Sequence, residues 1–254
     1  MEQFVVKPNL PQGRVKSVIM GSGYYELETA LAELGIKVIH IANNDGVAQP
    51  VRAHADMSAY YCGNGELIIS KNIFDSCDAE MFPVGTVLHC SNDGQRDKYP
   101  MDIGLNACEV GDIIFCSVEN TEAAILEHAQ KRGKKLINVR QGYAKCSVCV
   151  LDETHIITAD KSIAEAAQNA GIAVLLIEPG FFELPGYDYG FIGGSCFKCS
   201  AGTIAFTGKL EGHPNMENIL QFIDNLGIKV VYLTNKRCFD VGSILPLTER
   251  KEQD

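Results

Sequence analysis

A phrase in which a helical run ends in glycine and passes straight into a buried strand recurs along this chain. It constrains the fold more than any other feature. It reads Leu34-Gly-Ile-Lys-Val-Ile-His-Ile41, Arg132-Gly-Lys-Lys-Leu-Ile-Asn-Val139, Ala170-Gly-Ile-Ala-Val-Leu-Leu-Ile177 and Leu226-Gly-Ile-Lys-Val-Val-Tyr-Leu233, with a weaker copy at Val84-Gly-Thr-Val-Leu-His89. The glycine stands where a chain leaves a helix with positive φ, a conformation that costs other residues more. The stretches before it, Glu26 to Leu34, Thr121 to Lys131, Ser162 to Ala170 and Met216 to Leu226, space their apolar residues as helices do.

Between these phrases lies a second one, a two-strand hairpin. Its second strands read Glu66-Leu-Ile-Ile-Ser70, Asp112-Ile-Ile-Phe-Cys116, His155-Ile-Ile-Thr-Ala159 and Thr203-Ile-Ala-Phe-Thr207. Twelve residues before Ile68, Ile114, Ile157 and Ala205 stand Asp56, Asp102, Lys145 and Gly193, and two positions further on stand the small residues Ser58, Gly104, Ser147 and Ser195. The last hairpin begins at Phe239-Asp-Val-Gly-Ser-Ile-Leu245, and the sequence stops before its second strand. The N-terminal Phe4-Val-Val-Lys7 is the expected partner.

Each unit is thus strand-strand-helix-strand, about fifty residues long, and the fifth is shared between the chain ends. The expected architecture is one α/β domain over residues 1–254, a five-bladed α/β propeller of ββαβ modules with the N-terminal strand closing the last. Closing a ring removes free sheet edges. The competing architecture is an ordinary doubly wound sheet.

With 46% hydrophobic and 21% charged residues, the chain can bury a large core. Its net charge of −10 opposes nucleic acid and anionic membranes as partners. No apolar run approaches the roughly 20 residues of a membrane span, and the N-terminus does not read as a secretion signal. The reading is therefore cytoplasmic, with the ten cysteines mostly reduced and buried.

The module count and closure resemble the pentein, or guanidino-group-modifying, superfamily across the whole chain. Gln141-Gly-Tyr-Ala-Lys-Cys146, Gly186-Tyr-Asp-Tyr-Gly-Phe-Ile-Gly-Gly194, Phe206-Thr-Gly208 and Asp240-Val-Gly-Ser-Ile-Leu-Pro-Leu247 are similar to a bacterial branch of it without an assigned activity. The resemblance implies a pseudo-fivefold axis. For the catalytic members it implies a cysteine nucleophile near the start of the last module, a histidine acid/base in the module before, and carboxylates gripping a guanidinium. It equally admits members without catalysis, so fold does not decide function. Two departures stand out: the expected cysteine position holds Gly242, and the hairpin Gly190 to Ser200 holds no histidine.

Asp56, Asp102 and Asp240 begin three first strands and Lys145 a fourth. Facing the axis, as in that superfamily, they form a polar pocket for a small cationic amine or guanidine; otherwise they cap turns. Cys146-Ser-Val-Cys149 and Cys196-Phe-Lys-Cys199 have zinc-ligand spacing. Within strands, however, their two thiols point to opposite faces, so no metal is assigned. Cys199, in the register of Cys62 and Cys108, reads as packing.

Two thiols remain as candidate nucleophiles. Cys196 follows the permissive Gly193-Gly194-Ser195, and Cys146 follows a lysine that favours thiolate. His54 is the candidate acid/base, and His213 reads as a turn residue. Gly21-Ser-Gly23 resembles a nucleotide-binding turn, but Glu26 stands where a small residue is needed. No cofactor is assigned. Three readings follow: a cysteine-dependent guanidino-group hydrolase or amidinotransferase, a non-catalytic pentein that binds a ligand or protein, and a Rossmann-type nucleotide enzyme.

Overall fold

The structure is a computed structural model that describes residues 1–251. The chain opens with β1 (Glu2–Phe4), β2 (Arg14–Met20), α1 (Tyr25–Glu33) and β3 (Lys37–His40). The second blade follows as α2 (Ala55–Ser58), β4 (Ala59–Gly63), β5 (Glu66–Ile69) and β6 (Val87–Cys90), and the third as β7 (Cys108–Val110), β8 (Ile113–Cys116), α3 (Ala123–Arg132) and β9 (Lys135–Asn138). The fourth contains α4 (Ala144–Ser147), β10 (Val148–Val150), β11 (His155–Thr158), α5 (Lys161–Asn169) and β12 (Ala173–Leu176). The fifth contains β13 (Cys196–Ser200), β14 (Thr203–Phe206), α6 (Met216–Asp224) and β15 (Lys229–Tyr232), after which β16 (Leu245–Arg250) returns to the first blade.

Five separate sheets result rather than one doubly wound sheet. In each, an antiparallel hairpin is followed by a third strand parallel to the second. Gly35, Gly85, Gly133, Gly171 and Gly227, the glycines of the repeated phrase, all have φ between 65° and 94°. At Gly35, Gly133, Gly171 and Gly227 an added Cβ would meet nothing within 4 Å, so backbone conformation rather than space requires them. α5 shows the local logic most plainly. Asp160 caps it through Ile163 N at 2.8 Å, Ile163, Ala164 and Ala167 are buried, and Gly171 ends it.

Ring closure differs from expectation in one respect. The partner of the last strand's hairpin is β2, with Leu245 opposite Ile19, while the N-terminal strand forms over Glu2–Phe4 and adds to the far edge of β16. The second blade departs as well: short 3-10 turns at Phe74–Ser76 and Ala79–Met81 stand where the other blades carry an α-helix.

The core is a ring of five interfaces. Alternate residues of each strand face opposite neighbours. Ile68 packs with Ile114 and Leu105 of the third blade, whereas Leu67 and Ile69 pack with Ile19 and Leu247 of the first. Further clusters join the third blade to the fourth, the fourth to the fifth and the fifth to the first. Third strands form the outer rim, half-exposed along their length. Among the described residues no helix is long and apolar enough to cross a membrane.

Candidate active site

The hairpin registers show which sequence-equivalent positions coincide in space. Tyr60 pairs with Ile68, Cys149 with Ile157 and Phe197 with Ala205, so Asp56, Lys145 and Gly193 occupy matching places before the first strands. In the third blade the place of Ile68, Ile157 and Ala205 is held by Phe115, third in its parallel pairing, which pairs with Cys108 in a hairpin one residue tighter, and the matching residue is Gly104. Asp102 therefore lies upstream of the repeat position. Cys108, paired with Phe115, therefore stands in the register of Tyr60, Cys149 and Phe197 rather than in that of Cys62 and Cys199. Asp240 stands beside, not at, the matching place in the first blade.

Asp56, Asp240, Cys146 and His54 nevertheless come together. A cavity of about 220 Å³ is lined by Val51, His54, Met57, Tyr143, Cys146, Leu184, the Tyr187-Asp188-Tyr189 segment, Phe191 and Asp240. At its base Cys146 Sγ donates to Asp56 Oδ2 at 3.0 Å, and Ser243 Oγ donates to the same oxygen at 2.6 Å. Lys145 Nζ in turn donates to Ser243 Oγ at 3.1 Å. Asp240 accepts from Gly242 N through Oδ1 and from Phe191 N through Oδ2, each at 2.8 Å. Among the described residues, buried Asp56 Oδ1 and His54 Nε2 find no hydrogen-bond partner. Orphaned polar atoms beside a cavity are what a polar ligand would satisfy.

Asn106, which the sequence did not single out, joins α2 to α4. Its Oδ1 accepts from Lys145 N at 2.8 Å and Cys146 N at 3.2 Å, and its Nδ2 approaches Asp56 O at 3.3 Å and Cys146 Sγ at 3.2 Å. Asp102 supports the wall from behind: its Oδ2 accepts from Tyr143 Oη at 2.6 Å, and its backbone carbonyl accepts from Gln95 Nε2 at 2.6 Å. Asn106, Ser243 and the aromatic wall carry no sequence spacing that marks them. The segment Gly186–Gly194 was visible only through resemblance.

Burial sets the protonation states. It pushes the Asp56 carboxyl above its usual value, against the opposing pull of His54 and Lys145. Asp240 is raised to about 6 by the same desolvation, resisted by its two backbone hydrogen bonds. His54 is lowered by burial and so favours neutral imidazole. The Cys146 thiol is pushed well up by burial and then by Asp56 and Asp240, so the lysine next to it in sequence does not produce a free thiolate.

Cys196 sits elsewhere. It belongs to the core cluster between the fourth and fifth blades with Cys149 and Cys238, and burial raises its pKa too. It does not line the 220 Å³ cavity. Gly242, the expected cysteine position, has φ 71°, and a Cβ there would lie 2.1 Å from His54 Cβ. No side chain of any kind fits. Gly21 faces the Ala53 carbonyl, where a Cβ would lie 1.7 Å from the oxygen, so the glycine-rich turn serves close packing. His213 donates nothing to the cavity; its Nδ1 accepts from Asn215 N at 3.0 Å. A larger open groove of about 630 Å³ between the fourth and fifth blades is lined by solvent-facing charges such as Arg140, Lys161 and Glu178.

Five blades around an axis, each a hairpin followed by a parallel third strand and four of them carrying an α-helix between, define the pentein fold. The chain belongs to the family of unknown function DUF6873, whose match spans residues 18–245. No curated protein matches it. Among solved structures it is similar to an amidinotransferase of saxitoxin biosynthesis from Microseira wollei, at 13% identity and TM-score 0.60 over 98% of each chain. It is also similar to an inosamine-phosphate amidinotransferase from Streptomyces griseus, at 10% identity and TM-score 0.59 over 99% of this chain and 97% of that one. A third is a DDAH from Pseudomonas aeruginosa complexed with citrulline, at 12% identity and TM-score 0.53 over 86% and 92%. At such identities the likeness shows the fold alone.

Proposed function

We propose that this chain binds a small guanidinium or amidinium compound in the 220 Å³ cavity and processes it through Cys146. The observation that carries the reading is the Cys146 Sγ to Asp56 Oδ2 hydrogen bond at the cavity base, beside an unpartnered carboxylate oxygen and an unpartnered imidazole nitrogen. Carboxylates match the planar N–H fork of such a cation. A bound cation beside Asp56 and Asp240 also offsets the negative charge that holds the thiol protonated.

The chemistry then balances. Cys146 S–H gives its proton to Asp56, the thiolate attacks the central carbon, and a C–S bond forms. The C–N bond to the leaving amine breaks, and the amine takes the proton held by Asp56. Water or an acceptor amine then displaces sulfur, completing hydrolysis or transfer. The second reading, a pentein that binds such a cation without turnover, draws on the raised thiol pKa.

The test is labelling with a small electrophilic amidine at neutral pH, against a generic alkylating agent, followed by peptide mapping. Modification at Cys146 alone, faster than the generic agent predicts and lost in Cys146→Ser, supports the covalent reading. Slow or scattered labelling removes it and leaves binding without turnover.

A further inference from the structure

The charge pattern of the cavity narrows what its ligand can be. Its base holds the buried Asp240, with the buried Asp56 directly behind Cys146 and Asp102 behind Tyr143. Its rim holds Asp188, an exposed residue between the half-exposed Tyr187 and Tyr189. Carboxylates therefore flank the space at both ends. Among the described residues no lysine or arginine lines it. Lys145, the nearest buried cation, is turned to Ser243 and lines small voids on the axis with Asn9 and Pro246.

Between base and rim the wall is aromatic and apolar. Tyr143 and Phe191 lie 6.2 Å apart, Tyr189 meets Phe191 edge-on at 6.2 Å, and Val51, Met57 and Leu184 complete the lining. The Tyr143 hydroxyl is held by Asp102, which fixes the ring. Aromatic rings attract a cation and accept an alkyl chain equally well.

We infer that the site selects a guanidinium or amidinium borne on an apolar or aminoalkyl body and rejects compounds that carry a carboxylate, arginine among them. This rests on the cation-binding reading above. A ligand carboxylate would lie in a partly water-free space facing Asp188 or the buried pair, with no side-chain cation lining the cavity to receive it. An alkyl tail would instead pack on Tyr143, Phe191 and Leu184, and a terminal amine would meet Asp188 at the rim.

Calorimetry at low salt with three compounds sharing one head group tests this: agmatine, butylguanidinium and arginine. Agmatine is expected to bind most tightly, butylguanidinium next, and arginine at least thirtyfold more weakly than agmatine. Asp188→Asn should narrow the gap between agmatine and butylguanidinium, and Asp188→Lys should raise arginine affinity at least fivefold. Arginine within threefold of agmatine, or unaffected by Asp188→Lys, overturns the carboxylate-free class while leaving guanidinium binding intact. Failure of all three to bind overturns the cation-binding reading, and this inference with it.

Discussion

α2 and α4 are the same device in two blades, and they carry opposite charge. Each is a four-residue turn with every residue buried, each ends in serine, and each leads into a first strand. Asp56 in one matches Lys145 in the other. The carboxylate backs the cavity base through its hydrogen bond from Cys146, whereas the ammonium reaches the small voids further along the axis. Ser243 stands between them, accepting from Lys145 and donating to Asp56. The repeat thus fixes where a side chain will be, and one residue per blade decides what chemistry is placed there. The two turns are also held differently: Asp56 N donates to Gly242 O at 3.0 Å, while Lys145 N donates to the Asn106 side chain.

Gly242→Ala breaks the comparison hardest, because it attacks the seat of α2 and leaves that of α4 alone. Its φ of 71° and the 2.1 Å approach to His54 leave no room for relaxation. We expect a loss of about 4 kcal/mol or failure to fold. Urea unfolding with a wild-type midpoint would show that α2 does not depend on this contact.

Asp240 gives the next effect, through pH. Its folded pKa of about 6 lies above the ordinary 3.8, so ionising it opposes folding. Its contribution is most favourable below pH 4 and is lost as pH rises through 6. Asp240→Asn imitates the protonated acid, so the stability difference between wild type and variant should shift by about 2 kcal/mol in the variant's favour from pH 4 to 7. A difference that stays flat would mean that Asp240 is not raised.

Asp56→Asn sharpens the comparison at the level of binding. It keeps the volume, removes the charge, and should weaken a guanidinium probe about a hundredfold, as loss of a charge-assisted pair does. Lys145→Met should act only through its neighbours. The lysine lowers the Asp56 and Asp240 values, so its removal should raise the pH at which cation binding is half-lost. A probe whose affinity ignores Asp56→Asn would place the ligand elsewhere.

The fold was legible because the repeat is written in backbone requirements. A helix that must end with positive φ needs glycine wherever it ends, so four strong copies of Gly-strand survive as readable text at Gly35, Gly133, Gly171 and Gly227. The site was legible only where a residue lies on the repeat. Asp56 and Lys145 do, and counting found them. Asp102 was placed by the same count and lies off register, because the hairpin of the third blade is tighter than the others. Asn106, Ser243 and Phe191 act through contacts between blades, and nothing in linear spacing encodes which blades meet. The two thiols were inseparable in sequence for the same reason: both follow a candidate turn, and only packing shows which one faces a cavity.

That pair gives the smallest and most discriminating prediction. Cys196→Ala removes sulfur from a dense cluster containing Cys149, Phe206 and Cys238, where surrounding groups cannot collapse fully. A cost of about 1–2 kcal/mol follows. Cys146→Ala removes sulfur that already borders open space, so truncation merely enlarges a cavity that water can enter. It also frees Asp56 from one donor while Ser243 keeps the other. The expected cost is below about 1 kcal/mol, with amidine labelling abolished, whereas Cys196→Ala should keep labelling and lose more stability. If urea midpoints came out in the reverse order, Cys146 would be the packing residue, and the cavity would have to find its nucleophile elsewhere.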